Sequence, residues 1–350
     1  MIENPFSLSF GMKPVSYINR FAQSQAVINE FSKVEPTNKI FMITGVRGAG
    51  KTVFMSNIAQ HFKQEKEWIV IDLNPELDLL TSFCSKLYEN QKLHSLFINA
   101  KIDISVFGLN LSLGSNQYPI NSETLLEKLL TVVKKNNKKV LITIDEVTNS
   151  KTIREFAHSF QMFIRNDYPV FLLMTGLYDN LNVLQNEKTL TFLYRTPKIN
   201  LEPLSLIAIK EAYKSIFQIE EKEASIMANY TKGYSFAYQV LGYLVFNSRE
   251  KTVNDSILSQ YDQYLEEYVY DKLYSELSIK DITFVKAIAN SKTNDVASIL
   301  ELSSMKKNEF SVYRDRLKKK GILDCSIRGQ IQFILPRFKE YVLIKNALDF

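Results

Sequence analysis

Cysteine is nearly absent: Cys84 and Cys325 are the only two in 350 residues, far apart and in no CxxC pair. A disulfide framework and a cysteine-built zinc site are thereby excluded. The three histidines, His61, His94 and His158, are scattered without metal-ligand spacing. No apolar run approaches the ~18 residues that a membrane-spanning helix needs. The longest runs, at residues 140–144 and 170–174, have the length of strands. The first residues carry no basic segment followed by an apolar stretch, so a signal peptide is not expected. These absences lead to the expectation of a soluble, cytoplasmic chain with no membrane partner. Repeats and low-complexity segments are also missing.

What remains is ordinary globular composition, 45% hydrophobic and 23% charged. At about 100–200 residues per domain, the length allows two or three domains. The net charge of +5 is unevenly spread. Residues 281–340 hold twelve Lys and Arg against seven Asp and Glu, while the rest of the chain balances at 31 of each. All the excess positive charge therefore lies towards the C-terminus.

Residues 1–38 read as an irregular arm and one helix. Asn4-Pro5 and Lys13-Pro14 break the arm, and the helix covers residues 21–31. Strands and helices then alternate. Strands are expected at residues 40–44, 68–73, 140–144, 170–175 and 199–201. Helices are expected at 51–62, 76–93, 122–134, 152–165 and around 178–185. Leu77, Leu80, Phe83, Cys84 and Leu87 mark the apolar face of the 76–93 helix. Such alternation predicts an α/β fold, a mostly parallel sheet covered by helices on both faces. Residues 101–119 depart from it. Ile102, Ile104 and Val106, then Leu109, Leu111 and Leu113, alternate with other residues around Gly108, which predicts an inserted hairpin.

Past Pro203 the pattern is helical to residue 277, with breaks at 218–222 and 231–233. Ile257, Tyr261, Leu265 and Tyr268 form a packing stripe in the last of these helices. Residues 282–289, 295–302 and 306–320 read as three further helices, the third stopped by Gly321. Two extended runs, 322–327 and 331–335, flank Arg328-Gly329. Three helices and a two-stranded wing are the outline of a winged helix-turn-helix. The expected division is an arm and helix at 1–38, a core at 39–204, a helical lid and linker at 205–277, and a winged helix at 278–350.

Glycine is sparse, 11 in all, so a cluster of three is informative. Gly45-Val46-Arg47-Gly48-Ala49-Gly50-Lys51-Thr52 matches GxxxxGK[ST], between an expected strand and an expected helix. A chance match arises on the order of once in a few hundred such chains. The glycines let the backbone curl so that N–H groups face phosphates, and the helix start adds positive potential. Lys51 supplies a mobile charge for the β- and γ-phosphates, and the Thr52 hydroxyl can ligate Mg2+. The candidate nucleotide-binding set is these eight residues and Val53. The second element is the apolar run 140–144 ending in Asp145-Glu146. Asp145 fits a magnesium-holding acid and Glu146 a general base for the attacking water; two acids capping the next helix is the plainer alternative. A third strand, 171–174, ends in Thr175-Gly176. In the additional-strand class of P-loop ATPases a polar residue there senses the γ-phosphate, which makes Thr175 the candidate.

The order of these motifs, followed by Arg195 and Leu201-Glu202-Pro203-Leu204, resembles AAA+-type ATPases. It is most similar to the archaeal and bacterial single-chain ATPases that border on the STAND class and the origin-recognition type. Asn4-Pro5-Phe6, Phe10-Gly11, Pro14 and Arg20 are similar to the opening segment of that family, and residues 231–236 to its helical lid. The resemblance covers nearly the whole chain. It implies an ATP-hydrolysing enzyme with ATP or ADP and Mg2+ as ligands. It further implies that Arg195 reaches a γ-phosphate, in its own subunit or a neighbour's, where a guanidinium offsets transition-state charge; an ordinary loop arginine is the alternative. Ile18 and Arg20 would lie near the adenine. Where origin-type ATPases carry a lid arginine, this chain has Tyr234-Ser235-Phe236, a departure that fits a slow switch better than rapid turnover.

The basic segment leaves two partners open. Lys306, Lys307, Arg314, Lys318 and Lys319, with Arg328 on the wing, offer phosphate contacts to double-stranded DNA over residues 306–328. Alternatively, the winged helix is a regulatory module that contacts a partner protein or the chain itself, as in STAND-like regulators. Met305, Phe310, Tyr313 and Leu317 are expected in its core.

Overall fold

The computed structural model describes residues 3–9, 11, 13–102, 122–248 and 251–348. The hairpin expected at 101–119 falls almost wholly outside the described residues. The chain forms two compact units, each assembled from separated segments. Phe21–Thr44 and Phe54–Asn200 make one; Met1–Arg20, Gly45–Val53 and Leu201–Phe350 make the other.

The first is a sheet unit. Its strands β1 (Ile40–Thr44), β2 (Trp68–Leu73), β3 (Lys139–Ile144), β4 (Val170–Gly176) and β5 (Lys198–Asn200) lie in the order β2-β3-β4-β1-β5, all parallel. Strands β3 and β4 are almost wholly buried, which explains their unbroken apolar sequences. The helices are α1 (Phe21–Ser32), α2 (Lys51–Gln64), α3 (Leu79–Tyr88), α4 (His94–Asn99), α5 (Ser122–Lys135), α6 (Lys151–Arg165) and α7 (Tyr178–Gln185). Helix α6 illustrates their logic. Ser150 caps it by accepting from the Ile153 N–H. Ile153, Phe156, Ala157, Phe160 and Phe163 recur at three- and four-residue steps and are buried.

The helix expected over residues 76–93 is shorter than its apolar pattern suggested. The Asn74 side chain takes the Glu76 N–H, and Asp78 accepts from Thr81 at 2.8 Å, so α3 begins at Leu79. Such side-chain caps compete with continued helix upstream. Leu77 is accordingly 55% exposed rather than on the buried face. A turn at Asn90 ends the helix, and α4 follows as a separate element.

The second unit is helical: α8 (Leu206–Phe217), α9 (Glu221–Thr231), α10 (Ser235–Asn247), α11 (Asp255–Leu265), α12 (Asp271–Ser275), α13 (Ile279–Asn290), α14 (Val296–Ser303), α15 (Lys307–Lys319) and α16 (Phe338–Leu348). The only strands described in it are β6 (Leu323–Asp324) and β7 (Gln332–Phe333), paired antiparallel. The expected breaks are real: Gln218 and Lys232 end α8 and α9 in left-handed conformations. Between α11 and α12 one π-helical turn spans Glu266–Tyr270. The wider turn shifts the helical phase. Ile257, Tyr261 and Leu265 stay buried, but Val269 and Tyr270 replace Tyr268, which is 45% exposed. The sequence stripe was thus right to residue 265 and wrong at its end.

The N-terminal arm belongs to this unit's core. Phe6 is 2% exposed, stacks on Phe217 and meets Tyr213 and Tyr238. A Cβ at position 242 would come within 2.4 Å of its ring, so Gly242 makes room for it. Gln239 bonds the arm twice, accepting from the Ser7 N–H and donating to the Ser16 carbonyl. No described helix is long and apolar enough to cross a membrane.

Candidate functional site

The glycine-rich loop runs from Gly45 to Gly50, and Lys51 opens α2. Gly48 and Gly50 take φ of +75° and +87°, a region favouring glycine, and so curl the backbone. The carbonyls of Arg47, Gly48 and Ala49 are engaged within the helical unit. The Arg47 carbonyl accepts from the Tyr234 hydroxyl and the Gly48 carbonyl from the Phe236 N–H. The Ala49 carbonyl accepts from Ser235 Oγ at 3.0 Å and from Arg20 at 3.2 Å. Arg20 also donates to the Glu202 carbonyl at 2.9 Å. Burial pushes the Tyr234 phenol far above its ordinary pKa, so it remains a donor. A Cβ on Gly48 would lie 2.1 Å from the Tyr234 oxygen, so this grip requires glycine there.

The amide edge differs. Among the described residues no backbone carbonyl accepts from the Gly48 or Gly50 N–H. Lys51 Nζ folds back onto the Gly45 and Val46 carbonyls at 3.1 and 3.0 Å. Unclaimed amides, a curled backbone and a lysine at the loop mouth fit a phosphate chain. Thr52 and Val53 follow half-buried in the first turn of α2. Val46 packs beside the helical core, and a Cβ on Gly321 would touch it at 3.2 Å. Arg47 pairs with Glu276 at 3.2 Å.

In the sheet unit, β4 lies between β1 and β3. The register aligns Ile43 with Thr175 and Ile144 with Met174, so the ends of these strands share one edge of the sheet. The Thr175 side chain is fully buried and its hydroxyl donates to Asp145 Oδ1. The Glu146 N–H reaches both Asp145 Oδ1 at 3.1 Å and Thr175 Oγ1 at 3.2 Å. The Val147 N–H donates to the Thr175 carbonyl at 2.8 Å. Glu146 itself has φ of +54°, a conformation that costs a non-glycine residue energy and that clusters at functional sites. Its side chain is exposed and Asp145 is half-buried. Asp145, Glu146 and Thr175 are therefore one hydrogen-bonded group, with Thr175 orienting the acid. Arg195 is not part of it. It ends a 3₁₀ turn, Thr191–Arg195, and is exposed. Buried Gln185 fixes that turn by donating to the Leu193 and Thr196 carbonyls.

Near the C-terminus the cations divide into two sets. Arg316 reaches the buried Asp281 at 3.4 Å, Arg337 makes a two-pronged pair with Asp262, and Lys345 meets Asp271 at 2.9 Å. Lys306, Lys307, Lys318, Lys319 and Arg328 are exposed and form no ion pair among the described residues. Arg314 is half-buried and bonded to Asp315. Phe310 and Leu317 are buried, with Met305 and Tyr313 packed beside them. Two features escaped the sequence: the Arg20 and Ser235 grip on Ala49, and the Arg47–Glu276 pair. Both join residues far apart in the chain, and neither has a local signature.

A family described as "Domain of unknown function (DUF8462)" matches residues 267–342. Origin recognition complex subunit 4 of Dictyostelium discoideum is 21% identical over 90% of this chain and 82% of its own length. The Walker-type ATPase PABY2304 of Pyrococcus abyssi superposes with a TM-score of 0.64 at 14% identity, covering 97% of this chain and 99% of that one. The ORC2 protein of Aeropyrum pernix, solved in ADPNP and ADP complexes, gives 0.58 at 12% identity over 96% and 97%. Full-length superposition at such low identity establishes the fold. The chain shares the fold of these two structures, an α/β P-loop architecture with a helical C-terminal region, as the motif order implied.

Proposed function

We propose that this chain is an ATP-dependent switch that hydrolyses Mg-ATP slowly and couples nucleotide state to double-stranded DNA. The observation that carries the nucleotide half is the loop at Gly45–Val53, whose carbonyl edge is held by Arg20, Tyr234, Ser235 and Phe236 while no described backbone carbonyl accepts from the Gly48 or Gly50 N–H. In this reading Gly45, Val46, Arg47, Gly48, Ala49, Gly50, Lys51, Thr52 and Val53 hold the nucleotide. The loop follows β1 in the chain, as Asp145 follows β3, and Thr175 lies in the neighbouring β4. Thr52 and Asp145 would hold magnesium, whose charge offsets that of the terminal phosphates. Lys51 steadies the β- and γ-phosphates, Glu146 accepts the proton of the attacking water, and Thr175 keeps Asp145 oriented. Arg195, exposed on its turn, offsets transition-state charge in the same or a neighbouring subunit. Arg20 braces the loop beside the adenine position, with Ile18 at its side.

Slow turnover follows from the lid. Tyr234, Ser235 and Phe236 bind loop carbonyls and supply no cation, so the lid holds the loop and adds little to phosphate chemistry. The four-part division at 38, 204 and 277 assigns arm, core, lid and winged helix. The DNA half rests on the exposed Lys306, Lys307, Lys318, Lys319 and Arg328 of the winged helix, which neutralise phosphates without intramolecular competition. A regulator of the STAND kind is the second reading, favoured by the Arg47–Glu276 pair and by Val46 beneath Gly321. It calls for a monomer with tightly held ADP and no DNA affinity.

Fluorescence anisotropy of labelled duplex DNA, with ATP, ADP or neither, over a salt series separates them. Salt-sensitive, nucleotide-dependent binding that is lost in Lys318→Glu/Lys319→Glu supports the switch. No binding at low salt transfers the winged helix to protein contacts.

A further inference from the structure

A cavity of about 230 Å³ opens between α15 and the β6–β7 ribbon. Arg314 and Lys318 line it from the helix, Cys325 and Arg328 from the ribbon and its turn, and Val296 and Ile331 add apolar surface. Drug-sized ligands occupy roughly 300–1,000 Å³, so this space suits a small group. Three of its lining residues are cationic and one, Asp315, is a carboxylate. Asp315 is already shared with Arg314, through Nε at 3.1 Å and a terminal nitrogen at 3.0 Å. Lys318 and Arg328 form no ion pair among the described residues.

Arg314 and Lys318 share this lining with the Cys325 thiol. Burial raises its pKa, Arg314 and Lys318 oppose the rise, and Asp324 and Asp315 add to it. The neighbouring Asp324 is held within the ribbon: its carboxylate accepts from Gln332 at 3.0 Å and from the Ser326 N–H at 2.8 Å. Asp315 and Asp324 thus offset part of the positive charge, while Lys318 and Arg328 form no ion pair among the described residues. A planar guanidinium, an ammonium and a second guanidinium around a small polar space match a tetrahedral oxyanion with three acceptor edges.

We propose that this notch is a phosphate seat, distinct from the glycine-rich loop. The phosphate has two sources, the backbone of a DNA duplex or a free phosphate ester. As a backbone seat it rests on the DNA reading; as a seat for a free anion it does not. In either case occupancy fixes the ribbon against α15 through Arg314 and Arg328.

Cys325 reports on the seat directly. Cys84, the only other thiol, is buried and its pKa is pushed up to about 12. The test is the rate of Cys325 alkylation by iodoacetamide in the full chain carrying Lys51→Ala, with inorganic pyrophosphate or duplex DNA added. Alkylation slowed several-fold by pyrophosphate, by duplex or by both is the expected result. Arg314→Gln then raises the half-protecting concentration about tenfold, the loss of one charge-assisted hydrogen bond. Arg328→Gln, on the exposed turn, repeats the test without touching helix packing. Protection by duplex alone identifies a backbone phosphate. Protection by pyrophosphate, with no duplex bound by anisotropy, keeps the seat and removes the DNA reading. Unchanged alkylation under both ligands overturns the seat even if the duplex binds, as does protection that both substitutions leave intact.

Discussion

The two units bury different kinds of residue. The large cluster in the sheet unit is aliphatic and phenylalanine-rich, and no tyrosine among its described residues is buried. The helical unit buries Tyr213, Tyr234, Tyr238, Tyr261, Tyr270 and Tyr341. Several of these hydroxyls reach a main-chain carbonyl elsewhere: Tyr213 to Tyr238, Tyr261 to Tyr230, Tyr270 to Pro336 and Tyr234 to Arg47. Apolar burial is non-directional and tolerates small displacements. A buried hydroxyl–carbonyl bond does not, because a missed partner leaves a desolvated group. The sheet unit is therefore a general scaffold that presents strand ends. The helical unit is stitched at defined points, and one stitch lands on the glycine-rich loop. A nucleotide that alters the loop has in Tyr234 and Arg47 specific bonds through which to act.

The comparison can be broken at its strongest point first. Phe6→Ala removes a fully packed ring and the anchor of the arm, and should cost about 3–5 kcal/mol in urea unfolding. Leu126→Ala in the sheet core should fall within about 2–5 kcal/mol, so a Phe6 effect below about 1 kcal/mol would detach the arm from the core. Gly48→Ala places a methyl on the Tyr234 oxygen and should destabilise by about 1–3 kcal/mol in thermal unfolding. Tyr261→Phe strands the Tyr230 carbonyl for a loss of about 1 kcal/mol, and no tyrosine buried among the described residues of the sheet unit offers an equivalent. At the small end, Lys151→Ala breaks an exposed pair with Glu155, with side chains 82% and 56% exposed. Its unfolding midpoint should shift by less than about 0.5 kcal/mol in free energy.

The same contrast decides what the sequence reveals. The glycine loop, Asp145-Glu146 and Thr175 are legible because each is a short local pattern at the end of an apolar run, and a parallel sheet aligns such ends. Strand order follows from the register of distant segments and was not legible. The alternating apolar pattern also misled locally: the Asp78 cap left Leu77 outside α3, and the π turn moved Tyr268 off its stripe. Helix α16, which buries Phe338, Tyr341 and Val342, went unread beyond the wing. The tyrosine stitches and the Arg20 grip join residues up to about two hundred positions apart, and no window along the chain contains them.

The central claim is that Gly45–Val53 binds ATP and that Asp145 and Glu146 act on it. Titration of a fluorescent ATP analogue, with phosphate release followed in the same samples, tests it most directly. Wild type should bind and turn over slowly. Glu146→Gln should bind equally well and release no phosphate, and Lys51→Ala should lose about a hundredfold or more in affinity, the loss of a charged contact worth at least about 3 kcal/mol. Unchanged affinity in Lys51→Ala would contradict the assignment of the loop, and full turnover in Glu146→Gln would remove that residue as the base.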